Sequence, residues 1–276
     1  AGLRAALAQA GAVVVSLDQP LFGQRFPLID RGYANNLAVV NIPNLPAFRD
    51  NVRQGTVDLL VLSRFVRDVL PDLLAVDIDP ARIRLFGHSI GAQIAGVAAA
   101  LFGDDGVGAI MINGTGGHVT HSVLASDLLS LRGGDTAAAI FGLAGIPPPE
   151  DPTPAAILGA LFGVPRERWD DLDRFHPLAL PFQLVVDAAD PLPVAAGHDL
   201  PMTVFYGEGD TYVPPEGADW IARASRSGTL VPCTPATAYD GHVCLFREPL
   251  GRETLAEFAT RPNGNNRDER RWNEDG

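Results

Sequence analysis

Basic residues are scarce in this chain. Its 276 residues include 21 Lys and Arg against 33 Asp and Glu, which gives a formal net charge of -12 at pH 7. Proteins bind the phosphates of nucleic acids and of anionic membrane surfaces through basic faces. The acidic balance therefore argues against nucleic acid or an anionic membrane surface as the main partner.

Cysteine is also scarce, and the sequence has no long apolar run. The two cysteines, Cys233 and Cys244, are compatible with a disulfide in an oxidising compartment or with two buried thiols. The longest apolar run, residues 137–146, is shorter than the roughly 18 residues that a membrane-spanning helix needs. No transmembrane segment is predicted.

Apolar segments of two kinds alternate along the chain, in which 46% of the residues are hydrophobic. Short runs rich in β-branched residues predict strands, and longer runs with helical spacing predict helices. The alternation predicts an α/β fold with a mostly parallel sheet covered by helices on both faces. The predicted strands are residues 12–17, 83–86, 106–113, 201–207 and 229–232, and the main predicted helices are residues 3–10, 51–70, 216–226 and 249–259.

The motif that organises the sequence is Gly-His-Ser-Ile-Gly, which lies between a predicted strand and a run of small residues typical of a tightly packed helix. In such a nucleophile elbow, the serine occupies a strained backbone position that small neighbours permit. Ser89 is the predicted nucleophile, and Gly87 and Gly91 are expected to relieve clashes. The N–H of Ile90 is the predicted oxyanion donor. His88 fills the position before the serine and is expected to pack or to form a hydrogen bond.

A serine hydroxyl becomes a good nucleophile when a base takes its proton and a carboxylate orients that base. Asp210 is the predicted acid because it follows a predicted strand in a Gly-rich turn. Glu208 is the reserve candidate, and Asp190, within a presumed insertion, ranks third. The alternative for Asp210 is a purely structural role as a helix cap.

The predicted base is His242, which lies on a loop after the last predicted strand and before the closing helix. His118 and His121 form a His-x-x-His pair, but no HExxH pattern or third ligand accompanies them, so no metal site is predicted. No chemistry is assigned to His176 or His198. The resulting order of serine, aspartate and histidine is that of an α/β-hydrolase sheet.

About 85 residues between two predicted strands fit no strand-helix rhythm. Their apolar helical stretches, residues 123–131, 137–143 and 155–162, predict a helical cap or lid, with extension of the core as the alternative. The predicted division is a first core part at residues 1–116, a cap at 117–198, a second core part at 199–260 and a disordered tail at 261–276.

These motifs together resemble the α/β-hydrolase family over nearly the whole chain. Four further segments, residues 15–23, 47–54, 175–177 and 186–191, resemble bacterial secreted lipases of the virulence-factor type. This narrower resemblance implies a small-molecule or lipid ester substrate and a secreted or cell-envelope location.

The sequence departs from the family at its N-terminal end. The family's sheet begins with three strands before its first helix, and the loop after the third supplies a second oxyanion donor. The first recognisable elements here correspond to that helix and the fourth strand. We therefore expect an N-terminally truncated hydrolase with a gap inside its sheet and half an oxyanion hole.

The predicted function is a serine ester hydrolase of the lipase or carboxylesterase kind, acting through an acyl-enzyme and needing no cofactor. The same catalytic groups also serve amide hydrolases and acyltransferases, because fold does not determine reaction. A third alternative is a hydrolase-like fragment or binding module with little or no activity. The sequence predicts neither the oligomeric state nor the length of the acyl group.

Overall fold

A sheet of four parallel strands forms the centre of the part of the protein that the computed structural model describes, residues 3–25, 40–41, 44–102, 106–126, 147, 153–236 and 241–260. The strands lie in the order β1-β2-β3-β4 and all pair in parallel. The prediction of an α/β fold with a parallel sheet is confirmed. The strands are β1 (Arg84–His88), β2 (Ala109–Asn113), β3 (Met202–Gly207) and β4 (Gly228–Cys233).

Helices precede, connect and follow these strands. They are α1 (Leu3–Gln9), α2 (Leu45–Asp68), α3 (Leu70–Leu74), α4 (Ile90–Ala99), α5 (Val119–Leu124), α6 (Pro154–Leu161), α7 (Ala179–Val186), α8 (Pro191–Ala195), α9 (Pro215–Ala224), α10 (Cys244–Arg247) and α11 (Pro249–Thr260). Short 3-10 turns lie at Gly23–Arg25, Pro80–Arg82, Arg166–Asp171, Asp187–Ala189 and Gly241–Val243.

The two faces of the sheet contact different cores. Ile110 and Ile112 of β2 belong to the larger apolar cluster, which includes side chains from α2, α4 and α9. Met111, the residue between them, belongs to a second cluster with α1, α10 and α11. Side chains alternate between the faces of a strand, so this division places helices on both sides, as predicted.

Helix α2 begins six residues earlier than its apolar spacing predicts. The side chain of Asn44 accepts a hydrogen bond from the N–H of Ala47 at 3.2 Å, and a proline occupies the first turn. Both features favour a helix start. The buried side chains Phe48, Val52 and Leu59 form the face of α2 that packs into the core, where α2 contacts α4.

The strand predicted at residues 12–17 is absent, and this prediction is wrong. The segment has no regular secondary structure, and the side chains of Val13, Val14 and Val15 are 63%, 41% and 38% exposed. A β-branched run forms a strand when a neighbouring strand accepts its hydrogen bonds. Among the described residues, β1 pairs with β2 alone and forms one edge of the sheet.

The region between β2 and β3 contains helices α5 to α8. Helix α5 ends at Leu124 and overlaps the first two residues of the helix predicted at 123–131, of which residues 127–131 lie outside the described residues. Helix α6 agrees with the prediction for residues 155–162, and Thr153 caps it by accepting a hydrogen bond from the N–H of Ala156. The predicted helix at 137–143 and the tail at 261–276 lie outside the described residues. The division into core and cap remains a prediction.

Candidate active site

Strand β1 ends in a sharp turn at Ser89, and helix α4 follows directly. Ser89 has φ 54° and ψ -123°, a combination that residues with a side chain rarely adopt. A Cβ atom on Gly87 would lie 2.3 Å from the carbonyl oxygen of Gly91 and 2.7 Å from the Cα of Ala92, so glycine is required there. A Cβ on Gly91 would meet no atom within 4 Å. The expected clash relief is therefore found at Gly87 and not at Gly91.

Backbone hydrogen bonds hold this turn in place. The N–H of Ser89 donates to the carbonyl of Asn113 at 2.9 Å, which ties the turn to the end of β2. The carbonyl of Ser89 accepts from the N–H groups of Ala92 and Gln93 at 2.9 and 3.0 Å. Helix α4 begins at Ile90, whose N–H is among the first helical N–H groups and has no acceptor inside the helix. Its role as an oxyanion donor stays a prediction.

Asp210 lies in the turn after β3 and is fixed by its own backbone neighbours. Its Oδ1 accepts hydrogen bonds from the N–H groups of Tyr212 and Val213, both at 2.9 Å. Its Oδ2 lies 2.8 Å from Nδ1 of His242, and the carboxylate is 1% exposed. Because one oxygen is held by the backbone, the other is left to orient the histidine ring.

His242 lies in the 3-10 turn before α10, and this turn contacts the turn after β3 backbone to backbone. A Cβ on Gly207 would lie on the carbonyl of Gly241, and a Cβ on Gly241 would lie 2.4 Å from the carbonyl oxygen of Glu208. Two glycines are therefore needed for His242 to reach Asp210. The sequence analysis missed this pair, although a glycine that ends a strand and a glycine before a candidate base were visible signals.

Aromatic rings surround the His242 ring, which is 11% exposed in its side chain. The ring of Tyr212 stacks on it at 5.1 Å with an interplanar angle of 27°. The ring of His88 lies 4.8 Å away. A Cβ on Gly114, just after β2, would lie 3.0 Å from two atoms of the His242 ring. His242 therefore lies at the carboxyl ends of β1 and β2, beside the residue that precedes Ser89.

The other acid candidates have different environments. Glu208 is exposed and accepts a hydrogen bond from the hydroxyl of Thr234 at 2.6 Å. Asp190 is fully buried, and its oxygens accept bonds from the N–H groups of His118, Val119 and Leu192 and from the amide of Gln183. Burial raises the pKa of the Asp190 carboxyl, although these hydrogen bonds oppose the shift. Asp190 joins α5, α7 and α8.

His118 and His121 pack against an aromatic side chain. Their rings lie 6.3 and 4.8 Å from the ring of Trp220, and His118 Nδ1 accepts a hydrogen bond from the backbone of His121. Burial lowers the pKa of His121, and the nearby charge of Arg174 lowers it further. Within the described parts of the chain, no group of three or more His, Cys, Asp or Glu side chains could hold a metal ion.

Cys233 and Cys244 form a disulfide, which decides between the two alternatives that the sequence leaves open. The bond joins the end of β4 to the start of α10, and both cysteines are buried. The segment that it closes includes His242. The disulfide therefore ties the loop of the candidate base to the sheet.

Strand β1 leads through a Gly-x-Ser-x-Gly turn into a helix. An aspartate follows β3, and the histidine that is bonded to this aspartate follows β4. This succession on a parallel sheet defines an α/β-hydrolase architecture. The fold is an α/β-hydrolase fold. None of the helices that the structure describes has the length and apolar character of a membrane span.

Solved structures with similar folds are distant in sequence. An enol-lactonase from Burkholderia xenovorans is 20% identical, with 76% of this chain and 73% of that chain covered and a TM-score of 0.40. A lipase-esterase related protein from Clostridium acetobutylicum is 14% identical, with 75% and 73% covered and a TM-score of 0.42. An α/β fold family hydrolase from Bacillus anthracis is 16% identical, with 75% and 72% covered and a TM-score of 0.40.

Neither a protein-family model nor a curated protein matches the chain. Similarity as distant as that of the solved structures says nothing about a substrate.

Proposed function

We propose that the protein is a serine hydrolase of carboxylic esters, with Ser89 as nucleophile, His242 as base and Asp210 as the acid that orients the base. The observation that carries the proposal is the 2.8 Å contact between Asp210 Oδ2 and His242 Nδ1, beside the elbow that bears Ser89. A buried carboxylate paired with a histidine at the strand ends, with a serine on the neighbouring turn, is the arrangement that acyl transfer requires.

The reaction would run in two halves. His242 Nε2 takes the proton of the Ser89 hydroxyl as Oγ bonds to the ester carbonyl carbon, and the carbonyl oxygen becomes an oxyanion near the Ile90 N–H. The alcohol leaves with the proton from His242, and an acyl-enzyme remains on Ser89. Water then attacks the acyl carbon, His242 takes its proton, and the acid is released while Ser89 regains its hydrogen.

The apolar side chains of the region between β2 and β3 support an apolar acyl group over a peptide. A small cleft between α5, α6 and α7 is bordered mainly by apolar side chains, with Thr120 and Asp173 as its polar ones. We place lipase or carboxylesterase activity above amide hydrolysis and acyl transfer, and propose the region 117–198 as a cap over the substrate. The lining residues are Thr120, Leu124, Leu158, Phe162, Leu172, Asp173, Leu178, Ala179 and Phe182.

Labelling with a fluorophosphonate, read by intact mass, tests the nucleophile. We expect a single adduct on the protein and none on Ser89→Ala or His242→Ala, because an unactivated serine reacts slowly with such reagents. Ser63→Ala is the matched control, since the Ser63 hydroxyl bonds within α2 and is remote from the strand ends. An adduct that persists in Ser89→Ala would refute Ser89 as the nucleophile.

Steady-state rates on simple substrates separate the alternatives. p-Nitrophenyl esters should be hydrolysed and the matching anilides should not, and added alcohol should not divert the acyl group away from water. Preferential transfer to alcohol would favour an acyltransferase. A folded chain that neither labels nor turns over either substrate would favour the inactive binding module.

The Cys233–Cys244 disulfide also supports a location for the protein. Disulfides persist in oxidising compartments, and they are rare in the reducing cytosol of mesophiles. We therefore propose a secreted or cell-envelope protein. Fractionation of cells that produce it, with mass mapping of the disulfide, tests this; recovery in the cytosol with both thiols reduced would contradict it.

A further inference from the structure

His88, the residue before the candidate nucleophile, has a more specific environment than a filler position needs. It is paired with Asn113 in the register of β1 and β2. The side-chain nitrogen of Asn113 lies 2.6 Å from Nδ1 of His88. An amide nitrogen can only donate, so Nδ1 is the acceptor and carries no proton.

The other sides of the His88 ring are packed by rings. Phe246 lies edge-on at 4.7 Å, and His242 lies at 4.8 Å. Asn113, which holds His88 through its side chain, is 1% exposed and accepts the Ser89 N–H through its carbonyl. One residue therefore links the backbone of the nucleophile to the ring that contacts the base.

We propose that His88 is a positioning residue, whose ring is fixed by Asn113 as a neutral imidazole and supports the ring of His242 beside Ser89. The proposal rests on the proposed function. A proton on Nδ1 of His88 would point an N–H at the N–H of Asn113 and break the bond that holds the ring. It would also put a second positive charge beside His242, which itself becomes positive during the reaction.

The electrostatics agree with this arrangement. Burial lowers the pKa of His88 to about 3, the proximity of His242 adds to this shift, and a backbone hydrogen bond with Asn113 opposes it. Phe246 and Asn113 carry no charge, and the carboxylate of Asp210 is bonded to Nδ1 of the neighbouring His242. His88 is therefore uncharged at neutral pH.

Replacing the ring by one that cannot accept a hydrogen bond tests the positioning role. We expect His88→Phe to lower kcat on a p-nitrophenyl ester about tenfold with KM changed by less than about twofold, because a side chain that forms no bond with Asn113 is no longer held in place beside His242 while substrate contacts remain. The acid limb of kcat/KM should keep its midpoint, since no charge is removed. His88→Gln, which retains an acceptor for Asn113, should recover most of the loss, and His176→Phe is the matched control at a histidine outside the site.

A double-mutant cycle shows whether Asn113 acts through His88. Asn113→Leu should lower kcat as much as His88→Phe, and the double variant should be no slower than either single variant, because both remove the same bond. Losses that multiply would refute the link. Circular dichroism and phosphonate labelling identify any variant that fails to fold, and His88→Gln then decides the outcome.

Histidine NMR provides a readout that does not depend on turnover. With 13C-labelled histidine, the signal absent from His88→Phe should keep a constant shift from about pH 5 to about pH 9 in the wild-type protein. A midpoint for His88 above about pH 5 would overturn the proposal. Normal turnover in folded His88→Phe would overturn the positioning role alone. A wild-type protein without labelling or turnover would overturn the proposed function, and NMR would then still test whether the ring of His88 is neutral.

Discussion

Two buried aspartates in this protein show how different partners give the same side chain different roles. Asp190 and Asp210 both lie in loops beside the carboxyl-end region of the sheet, and both accept several hydrogen bonds. All four partners of Asp190 are N–H donors of the backbone or of the Gln183 amide. Asp210 gives one oxygen to backbone donors and the other to a histidine.

The difference teaches that burial alone does not identify a catalytic acid. A carboxylate whose oxygens are all bonded to fixed amides can only hold its neighbours together. A carboxylate with one oxygen on a titratable ring can stabilise that ring when it becomes charged. We therefore expect substitutions at Asp210 to affect turnover and substitutions at Asp190 to affect stability. Three experiments test this difference.

The largest effect is expected for Asp210→Asn on ester turnover. An amide in place of Oδ2 would favour the wrong tautomer of His242, so kcat should fall by a factor on the order of 10⁴. The melting temperature should change little, because Oδ1 can still accept its two backbone bonds. Kinetics and thermal unfolding, with the exposed Asp199→Asn as control, check both expectations; a large loss of stability with normal kcat would reverse the assignment.

Asp190→Asn should show the opposite pattern. The amide loses an acceptor oxygen that two donors need, and at 1.5–3 kcal/mol for each hydrogen bond to a charged group the free energy of unfolding should fall by about 3–6 kcal/mol. Urea titration measures this loss. At temperatures where the variant is still folded, kcat should stay within about threefold of the wild-type value, because Asp190 contacts no group that reacts. A selective loss of turnover would contradict the comparison.

The Cys233–Cys244 disulfide holds the loop that carries His242, the partner of Asp210, and its removal tests how much that loop adds to stability. Replacing both Cys233 and Cys244 with serine should lower the free energy of unfolding by about 3 kcal/mol, the entropy expected for a closed segment of this size. Denaturant titration of the double variant, with reduced and oxidised wild-type protein for comparison, measures the loss. Unchanged stability after reduction would show that packing alone holds the loop.

Much of the fold could be predicted from local pattern. The strands β1 to β4 have apolar runs between turn signals, and the side chains of β2 are buried on both faces, as such runs predict. Residues 12–17 have the same pattern and form no strand. The difference lies in pairing, because a ladder needs a partner whose position depends on the rest of the chain. Local sequence does not contain that information.

The sequence predicted the contact between Asp210 and His242 but not the side chains that pack around it. Strand ends of a parallel sheet meet at one edge, so the approach of Asp210 and His242 followed from their places after β3 and β4. Their places in the sequence did not predict the ring of Tyr212 that stacks on His242 or the bond from Asn113 to His88. Both depend on side chains from separate turns meeting within a few ångströms, which follows from tertiary packing rather than from spacing in the sequence.

The placement of the three candidate catalytic residues on different turns has a consequence for folding. Ser89, Asp210 and His242 come to the same edge of the sheet only when strands far apart in sequence have paired in parallel, and such non-local contacts form slowly. No early, locally structured chain can contain the complete site. Reactivity of Ser89 with a phosphonate should therefore return only in the last phase of refolding. The rate of its return then measures how fast the native sheet is completed.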